Sequence, residues 1–254
     1  LNLEKEGEEI SNLLKFSLNK INGKKAELTR EEQITEIIKN VKISDKSNLN
    51  GITITEESDY NIIIMDKKDM KFGVSESKPE NADFYINSNF FSNTGPIGLV
   101  VVDGIRQNNR TEGGGYFYVK NGIPYVRARS CPKMTEFASQ TILWAIDNGQ
   151  INEGLLKTSH SKLERYRTIM GENAQGQIMI ISSSSFLSLV TIEEIINFAK
   201  EKGMVEGILL DGGTSVDYKC TNGEDSVDFS SVPDKLKPAL GITKPFTYIY
   251  GNLK

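Results

Sequence analysis

The chain has 254 residues and a formal net charge of −4, with 38% hydrophobic and 25% charged residues. This composition is ordinary for a folded domain with a sizeable core, and the acidic balance provides no basic field that would attract a nucleic acid. No apolar run approaches the roughly 20 residues that a membrane-spanning helix requires, so no transmembrane segment is expected.

Cysteine and histidine are scarce. Cys131, Cys220 and the single His160 cannot form a structural Cys/His zinc site. The cysteines either pair, as in an exported protein, or remain buried thiols. The residues require no cofactor, and a divalent metal, if one binds, is expected to take oxygen ligands. The first residue is Leu1 rather than Met, which fits a removed leader and suggests export.

Residues 1–41 differ in composition from the rest of the chain. Apolar residues recur there at helical spacing in two runs, and Thr29 with Glu32 forms a capping box before the second run. The pattern predicts an N-terminal helical hairpin within residues 1–46. The remaining residues, 47–254, are predicted to form the catalytic domain.

From Gly51 the apolar period changes to two, which indicates successive β-strands. Asn121-Gly122 gives the strongest hairpin signal. Arg127 and Arg129 follow that hairpin at a spacing that directs both side chains to one face, so both are candidate phosphate ligands.

The second half of the chain mixes both element types. Phe137–Ile146 fits either a helix or a strand. Thr191 and Glu194 form a capping box that starts a clear helix, and this helix leads into a short apolar run that ends before Asp211. Together the elements predict an α+β fold: a mixed, mostly antiparallel sheet core with packed helices, preceded by the helical hairpin.

One candidate segment follows the short strand at residues 84–86. Asn87 and Asn89 offer carboxamide donors and acceptors that suit sugar hydroxyls or an acetamido group, and Phe91 offers an apolar platform. The alternative is a turn that ends a strand, with phenylalanines in the core.

A second segment contains Arg167 and Thr168. A guanidinium near a strand end can bind a phosphate through two parallel hydrogen bonds. The alternative is a surface ion pair, which is the usual role of a lone arginine.

The third segment is the chemically richest. Asp211 follows a buried strand, Gly212 and Gly213 allow backbone amides to approach an anion, and Ser215 can donate a hydrogen bond. Asp217 is a second nearby carboxylate. The alternative is an ordinary Asp-Gly turn. A Ser–His nucleophile at His160 is a further option, although the Gly-x-Ser-x-Gly pattern is missing.

Four segments occur in an order that resembles the phosphodiester glycosidase family. They are Asn87-Ser-Asn-Phe-Phe91, Gly98-Leu-Val-Val-Val-Asp-Gly104, Arg167-Thr-Ile-Met-Gly171 and Leu210-Asp-Gly-Gly-Thr-Ser215. The resemblance does not extend to residues 1–41. Two segments, 139–143 and 232–240, depart from the family pattern.

The resemblance implies hydrolysis of the bond between a sugar's anomeric carbon and a phosphodiester oxygen. The substrate would be a sugar phosphate or phosphoglycan, such as N-acetylglucosamine 1-phosphate linked to another sugar. Asp211 would stabilise the anomeric cation, attack it or activate water. Arg167 would bind the phosphate, helped by the glycine amides and by Arg127 or Arg129. The two asparagines would orient the sugar.

Ser215 would donate a hydrogen bond to Asp211 or to a phosphate oxygen. Glu172 is a further candidate for a general acid or base. Two alternatives stay open: a module that binds phosphoglycans without cleaving them, and a metal-dependent phosphodiesterase that breaks the P–O bond. In the second alternative, Asp211, Asp217 and Glu172 would be the metal ligands. The sequence does not determine the oligomeric state.

Overall fold

The computed structural model describes residues 48–49, 51–223, 225–232, 245 and 247–254. The chain divides into two units, Leu1–Ile43 and Ser44–Lys254, and every described residue belongs to the second. The helical hairpin predicted for residues 1–41 lies outside the described residues. The domain boundary at residues 46 and 47 therefore stays a prediction.

The described residues form twenty β-strands and two α-helices. The first ten strands are β1 (Asn48–Leu49), β2 (Ile52–Glu57), β3 (Tyr60–Met65), β4 (Met70–Ser75), β5 (Phe84–Asn87), β6 (Phe91–Ser92), β7 (Gly95–Pro96), β8 (Val100–Val102), β9 (Ile105–Asn108) and β10 (Gly114–Lys120). The others are β11 (Ile123–Arg127), β12 (Phe137–Ile142), β13 (Trp144–Asp147), β14 (Gln150–Ile151), β15 (Thr168–Asn173), β16 (Ile178–Ser183), β17 (Met204–Leu209), β18 (Asp217–Asn222), β19 (Asp225–Ser230) and β20 (Tyr248–Leu253). The helices are α1 (Glu153–Leu156) and α2 (Ile192–Glu201), and two 3₁₀ turns span Ser159–Lys162 and Gly213–Ser215.

The predicted α+β class with packed helices is wrong. Within the described ranges the protein is built mostly of antiparallel sheets, and every strand pair there is antiparallel, so the sheet is not mixed. The ambiguous stretch at residues 137–146 forms β12 and the start of β13. Its side chains are buried between other strands rather than along one helical stripe, which is why periodicity alone did not decide it.

Eight strands form the largest sheet, in the order β1-β2-β3-β16-β15-β17-β13-β14. Its strands bury both faces. In β3, Ile63 and Met65 point into the central core, whereas Tyr60 and Ile62 point to the opposite face. This alternation follows from the two-residue period of a strand. Helix α2 covers the second face with Ile195 and Ile196.

Two five-stranded sheets enclose the other side of the central core. Their orders are β11-β10-β12-β8-β9 and β19-β18-β5-β20-β4, and they contribute Phe117 and Phe84 to that core. Strands β6 and β7 form a separate short hairpin. None of the helices in the described part of the chain has the length and apolarity required to cross a bilayer.

Several local predictions are confirmed. Asn121 and Gly122 connect β10 to β11 with positive φ at both residues, and Thr191 and Glu194 form both halves of the capping box of α2. Strand β19 extends as far as Ser230.

Candidate active site

Four strand ends meet at one edge of the protein. Strands β15 and β17 are antiparallel neighbours, so β15 begins where β17 ends, with Ile169 opposite Leu209. The amide of Leu210 donates to the carbonyl of Thr168 at 3.1 Å. Strand β5 ends and β18 begins beside them, because the amide of Asp211 donates to the carbonyl of Ser88 at 3.0 Å. This junction holds the Asp211 backbone between two sheets.

Asp211 lies at the centre of the junction. Burial raises the pKa of its carboxyl from 3.8 to about 6, and hydrogen bonds from the Ser215 side chain and the Gly212 amide oppose that rise. Ser215 is buried in the 3₁₀ turn that follows. The carboxyl group therefore changes charge close to neutral pH, which is a property of many catalytic acids and bases.

Asn87 and Asn89 position the backbone of this region. Asn87 is fully buried; its Nδ2 donates to the carbonyl of Asp211 at 2.8 Å, and its Oδ1 accepts from the amide of Asp217 at 3.1 Å. Asn89 is buried as well, and its Nδ2 donates to the carbonyl of Gln140 at 2.6 Å. Its Oδ1 accepts from the Ser139 hydroxyl at 2.5 Å. Both carboxamides are thus engaged inside the protein, where they hold Asp211 and its surroundings in place.

Phe91 and Thr168 take different positions. Phe91 is half-buried in the short strand β6. Thr168 is buried, and its hydroxyl shares a 2.7 Å hydrogen bond with Ser182. Thr168 therefore stabilises the start of β15 next to Asp211, and its side chain is directed at the neighbouring strand.

Arg167 precedes β15 and lies against the Asp211 loop. Its Nη2 donates to the carbonyls of His160 at 3.2 Å and Leu163 at 2.9 Å. Its Nη1 lies 3.8 Å from the position that a Cβ at Gly212 would occupy. Its Nε is buried and has no hydrogen-bond partner among the described residues. Nη1 is therefore the nitrogen of this guanidinium that faces the glycine loop.

A second arginine, Arg165, lies beside the same loop. Its Cδ is 3.9 Å from the position of a Cβ at Gly213, and its side chain is exposed. Burial, and after it the charge of Arg165, lowers the pKa of Arg167. Arg165 is not among the site residues predicted from the sequence, although its i, i+2 spacing from Arg167 was a usable signal, since such residues share one face of an extended segment.

Gly212 and Gly213 allow the loop to approach the arginine segment. A Cβ at Gly212 would lie 2.8 Å from the carbonyl oxygen of Tyr166, closer than two unbonded atoms normally come. Gly213 has φ of +63°, which favours glycine, and its amide donates to the same Tyr166 carbonyl at 2.8 Å. The two glycines thus let the Asp211 loop pack directly against residues 165–167.

Three predicted site residues lie elsewhere. Glu172 is five residues along β15 from Arg167, about 17 Å away at the rise of a strand. There its Oε1 accepts from the amide of Val126 at 2.7 Å and from Arg127 Nη1 at 2.9 Å, and its Oε2 pairs with Lys67 at 2.9 Å. The structure therefore does not bring Glu172 or Arg127 to Asp211.

Arg129 is bound at the same distant end. Its Nε pairs with the Asp147 carboxylate at 2.6 Å, and its guanidinium lies over the Trp144 ring at 4.8 Å from the centroid. It belongs to a surface ion pair next to β13, away from the glycine loop.

The residues proposed for a metal or a Ser–His nucleophile do not converge. Among the described residues, no three His, Cys, Asp or Glu side chains lie close enough together to hold a metal ion. The Asp217 carboxylate is bound by Lys78 at 3.0 Å and by the Tyr248 hydroxyl at 3.2 Å. His160 is exposed in a 3₁₀ turn, and the hydroxyl of neighbouring Ser161 donates to main-chain carbonyls.

Both cysteines are buried free thiols. Burial raises the pKa of Cys131 to about 11 and that of Cys220 to about 12. Each therefore behaves as a small apolar core residue, and the disulfide alternative does not apply to this structure.

The model of the phosphodiester glycosidase family matches residues 80–242, which is more than half of the chain. The chain belongs to the phosphodiester glycosidase family. This match includes the Asn87, Arg167 and Asp211 segments and so confirms the resemblance seen in the sequence.

Solved structures support the same fold for this phosphodiester glycosidase. It is similar to the catalytic domain of zebrafish N-acetylglucosamine-1-phosphodiester alpha-N-acetylglucosaminidase, auto-inhibited by its pro-peptide, with a TM-score of 0.58 and 14% identity over 85% of each chain. It is also similar to a hypothetical protein from Synechocystis, with a TM-score of 0.54 and 11% identity over 83% of this chain and 61% of that chain. A comparison with curated protein sequences gives no match.

Proposed function

We propose that this phosphodiester glycosidase hydrolyses the bond between the anomeric carbon and the phosphate oxygen of a sugar-1-phosphodiester. One observation carries the proposal: the guanidinium of Arg167 and the carboxyl of Asp211 flank a single glycine loop. A group that binds anions and a carboxyl that titrates near pH 6 are the two functions that this cleavage needs.

The phosphate binds to the arginine side of the loop. Arg167 supplies Nη1, the guanidinium nitrogen that lies beside Gly212, and Arg165 adds a second positive charge from the exposed side. Guanidinium groups match phosphate oxygens with parallel hydrogen bonds. Because the leaving group is a phosphate monoester, which is stable as an anion, it needs little protonation, and charge stabilisation by the arginines does most of the work.

The Asp211 carboxylate acts on the sugar side. As the bond from the anomeric carbon to the phosphate oxygen breaks, its electron pair leaves with the phosphate monoester and positive charge develops on the sugar. Ionised Asp211 stabilises that charge and takes a proton from the attacking water. The water oxygen then bonds to the anomeric carbon and completes the free sugar.

The sugar proposed is N-acetylglucosamine, after the name of the zebrafish relative and the family match. Its phosphate carries a second alcohol, which is released as the monoester. An exported location is proposed on the family resemblance, and fractionation of producing cells followed by immunodetection tests it.

The test uses a diester of N-acetylglucosamine 1-phosphate in oxygen-18 water. Label in the sugar is expected, because the bond to carbon breaks. Label in the phosphate would instead mean P–O cleavage, and loss of that activity with a chelator would favour the metal-dependent phosphodiesterase. Tight binding without any product would favour a non-catalytic phosphoglycan module.

Substitution of the carboxyl locates the reaction. Asp211→Asn keeps the size of the side chain and its bond to Ser215 but removes the charge, so we expect kcat to fall by about 10³-fold or more, as for loss of a key electrostatic group. Near-wild-type turnover of this variant would refute the role given to Asp211.

A further inference from the structure

An apolar surface lies next to the two arginines. Seven large hydrophobic side chains are exposed in the described part of the chain, and four of them fall in two adjacent segments. We call these four the apolar rim: Leu163, Phe186, Leu187 and Leu189, with exposed fractions of 44%, 58%, 74% and 45%. Single exposed apolar residues are common on proteins, but a group of this kind marks a binding surface.

The segment that carries most of the rim has its polar residues inside and its apolar residues outside. Ser188 is only 2% exposed, and its hydroxyl bonds to those of Ser184 at 3.2 Å and Ser185 at 2.8 Å. The Ser185 hydroxyl also accepts from the Leu187 amide at 3.3 Å. This inner network orders the turn while its leucines face outward, against the usual preference.

The rim is continuous with the phosphate side of the candidate site. Arg165 and Val190 exchange two backbone hydrogen bonds of 3.0 Å, so the residue paired with Arg165 is the chain neighbour of Leu189. The Tyr166 hydroxyl donates to the carbonyl of Phe186 at 3.1 Å. Arg167 donates to the carbonyl of Leu163 at 2.9 Å. Each residue of the arginine segment is therefore bonded to a rim residue or to the neighbour of one.

We propose that the apolar rim binds the alcohol component of the phosphodiester substrate, and that this alcohol is a long hydrocarbon chain of the alkyl or prenyl type. The proposal rests on the function proposed above and names the substrate class. A phosphate held by Arg165 and Arg167 places its second ester oxygen at the start of the rim. A hydrocarbon chain attached there can then cover the leucines.

The chemistry of the rim favours a hydrocarbon over a second sugar. Leucine side chains have no hydrogen-bond donor or acceptor, so they cannot pair with sugar hydroxyls, which would lose bonds to water on contact. The Phe186 ring also packs against Phe229, with centroids 5.5 Å apart. The reaction itself is unchanged: the phosphate monoester leaves with its hydrocarbon chain attached.

The experiment compares two diesters of N-acetylglucosamine 1-phosphate, one with methanol and one with dodecanol, below the micelle concentration. The readout is the ratio of kcat/KM for the dodecyl diester to that for the methyl diester. The wild type is expected to prefer the dodecyl diester by at least about tenfold, the size of a modest hydrophobic contact. Leu187→Ser and Leu189→Ser should each lower the ratio severalfold. The matched control is Met134→Ser, because Met134 is 83% exposed and lies outside the rim.

Each outcome is decisive. Equal ratios for the wild type and Leu187→Ser overturn the proposal, and so does a wild type without preference. Sedimentation of the protein with lipid vesicles in the absence of any preference would assign the rim to a membrane surface instead. If neither diester is hydrolysed, the proposed function fails, and binding of dodecyl phosphate against methyl phosphate tests the rim by itself. In that assay, equal dodecyl phosphate affinity for the wild type and Leu187→Ser overturns the proposal.

Discussion

The Nη1 atom of Arg167 lies 3.8 Å from the point where a Cβ at Gly212 would stand. The same point is 2.8 Å from the Tyr166 carbonyl oxygen, so the loop and the arginine segment approach as closely as a glycine permits. The absence of a side chain at Gly212 thus allows the close packing of the Asp211 loop against residues 166 and 167.

Gly212→Ala is expected to impair catalysis more than folding. The new methyl group forces the loop away from Tyr166, and a misplacement of this size can cost about 10²-fold in rate. Measurement of kcat/KM and of the melting temperature separates the two effects. Gly154→Ala serves as the control, because its Cβ would meet only the Asn152 side chain at 3.3 Å. Equal activity of the two variants would contradict the close-packed loop.

Arg167→Lys is expected to lower kcat/KM by about 10²-fold. A lysine keeps the charge but loses the rigid guanidinium, whose Nη2 is held by the carbonyls of His160 and Leu163 while Nη1 faces the loop, and one lost transition-state donor costs this much. Arg129→Lys is the matched control, because Arg129 pairs with Asp147 away from the loop and should retain full activity. Equal losses of kcat/KM in both variants would contradict the assignment of the phosphate to Arg167.

Asp211→Asn is expected to stabilise the protein above pH 6. The native carboxyl has a pKa of about 6 against 3.8 for the ordinary group, so the native state holds this proton more tightly than the unfolded chain. The wild type therefore loses stability as the pH rises from 3.8 to about 6. The variant avoids this loss of about 1–3 kcal/mol, and the gain should vanish near pH 4.

Denaturant unfolding at pH 4 and pH 8 measures that difference. Asp217→Asn is the control, and it should lower the free energy of unfolding. The Asp217 carboxylate is buried against Lys78, and loss of one charge from a buried pair destabilises a protein. If Asp211→Asn is less stable than the wild type at pH 8, the hydrogen bonds to the Asp211 carboxylate outweigh the cost of its burial.

Ser215→Ala is expected to move the acid limb of the pH profile. Catalysis by ionised Asp211 should rise with pH through about 6, and the hydrogen bond from Ser215 holds that pKa down. Without the bond the pKa rises further, so the limb of kcat/KM shifts to higher pH while the plateau at high pH changes less. An unshifted limb would assign the titration to another group.

Glu172→Gln is expected to affect stability and leave activity intact. The buried carboxylate pairs with Lys67 and Arg127, and the amide can replace neither charge. We expect a loss of about 1–3 kcal/mol, typical of a broken buried pair of this kind, with kcat/KM unchanged. A large fall in kcat at unchanged stability would restore Glu172 as an acid or base.

The sequence by itself determined the local features of the site. The Asn121-Gly122 dipeptide predicted a hairpin, and the capping box at Thr191 predicted the helix that leads to β17. An apolar run followed by Asp211-Gly212-Gly213 located the loop. These predictions succeeded because capping, turn geometry and strand alternation depend on residues close in the chain.

Only the tertiary structure decided which of the predicted residues meet. Arg167 directly precedes β15 and Glu172 lies five residues further on, near the other end of that strand. Strand order brought Asp211 to the Arg167 end. Burial engaged Asn87 and Asn89 with the backbone, which no local pattern reveals. The same folding placed Arg165 and the apolar rim beside the loop, because antiparallel pairing joins chain segments that are distant in sequence.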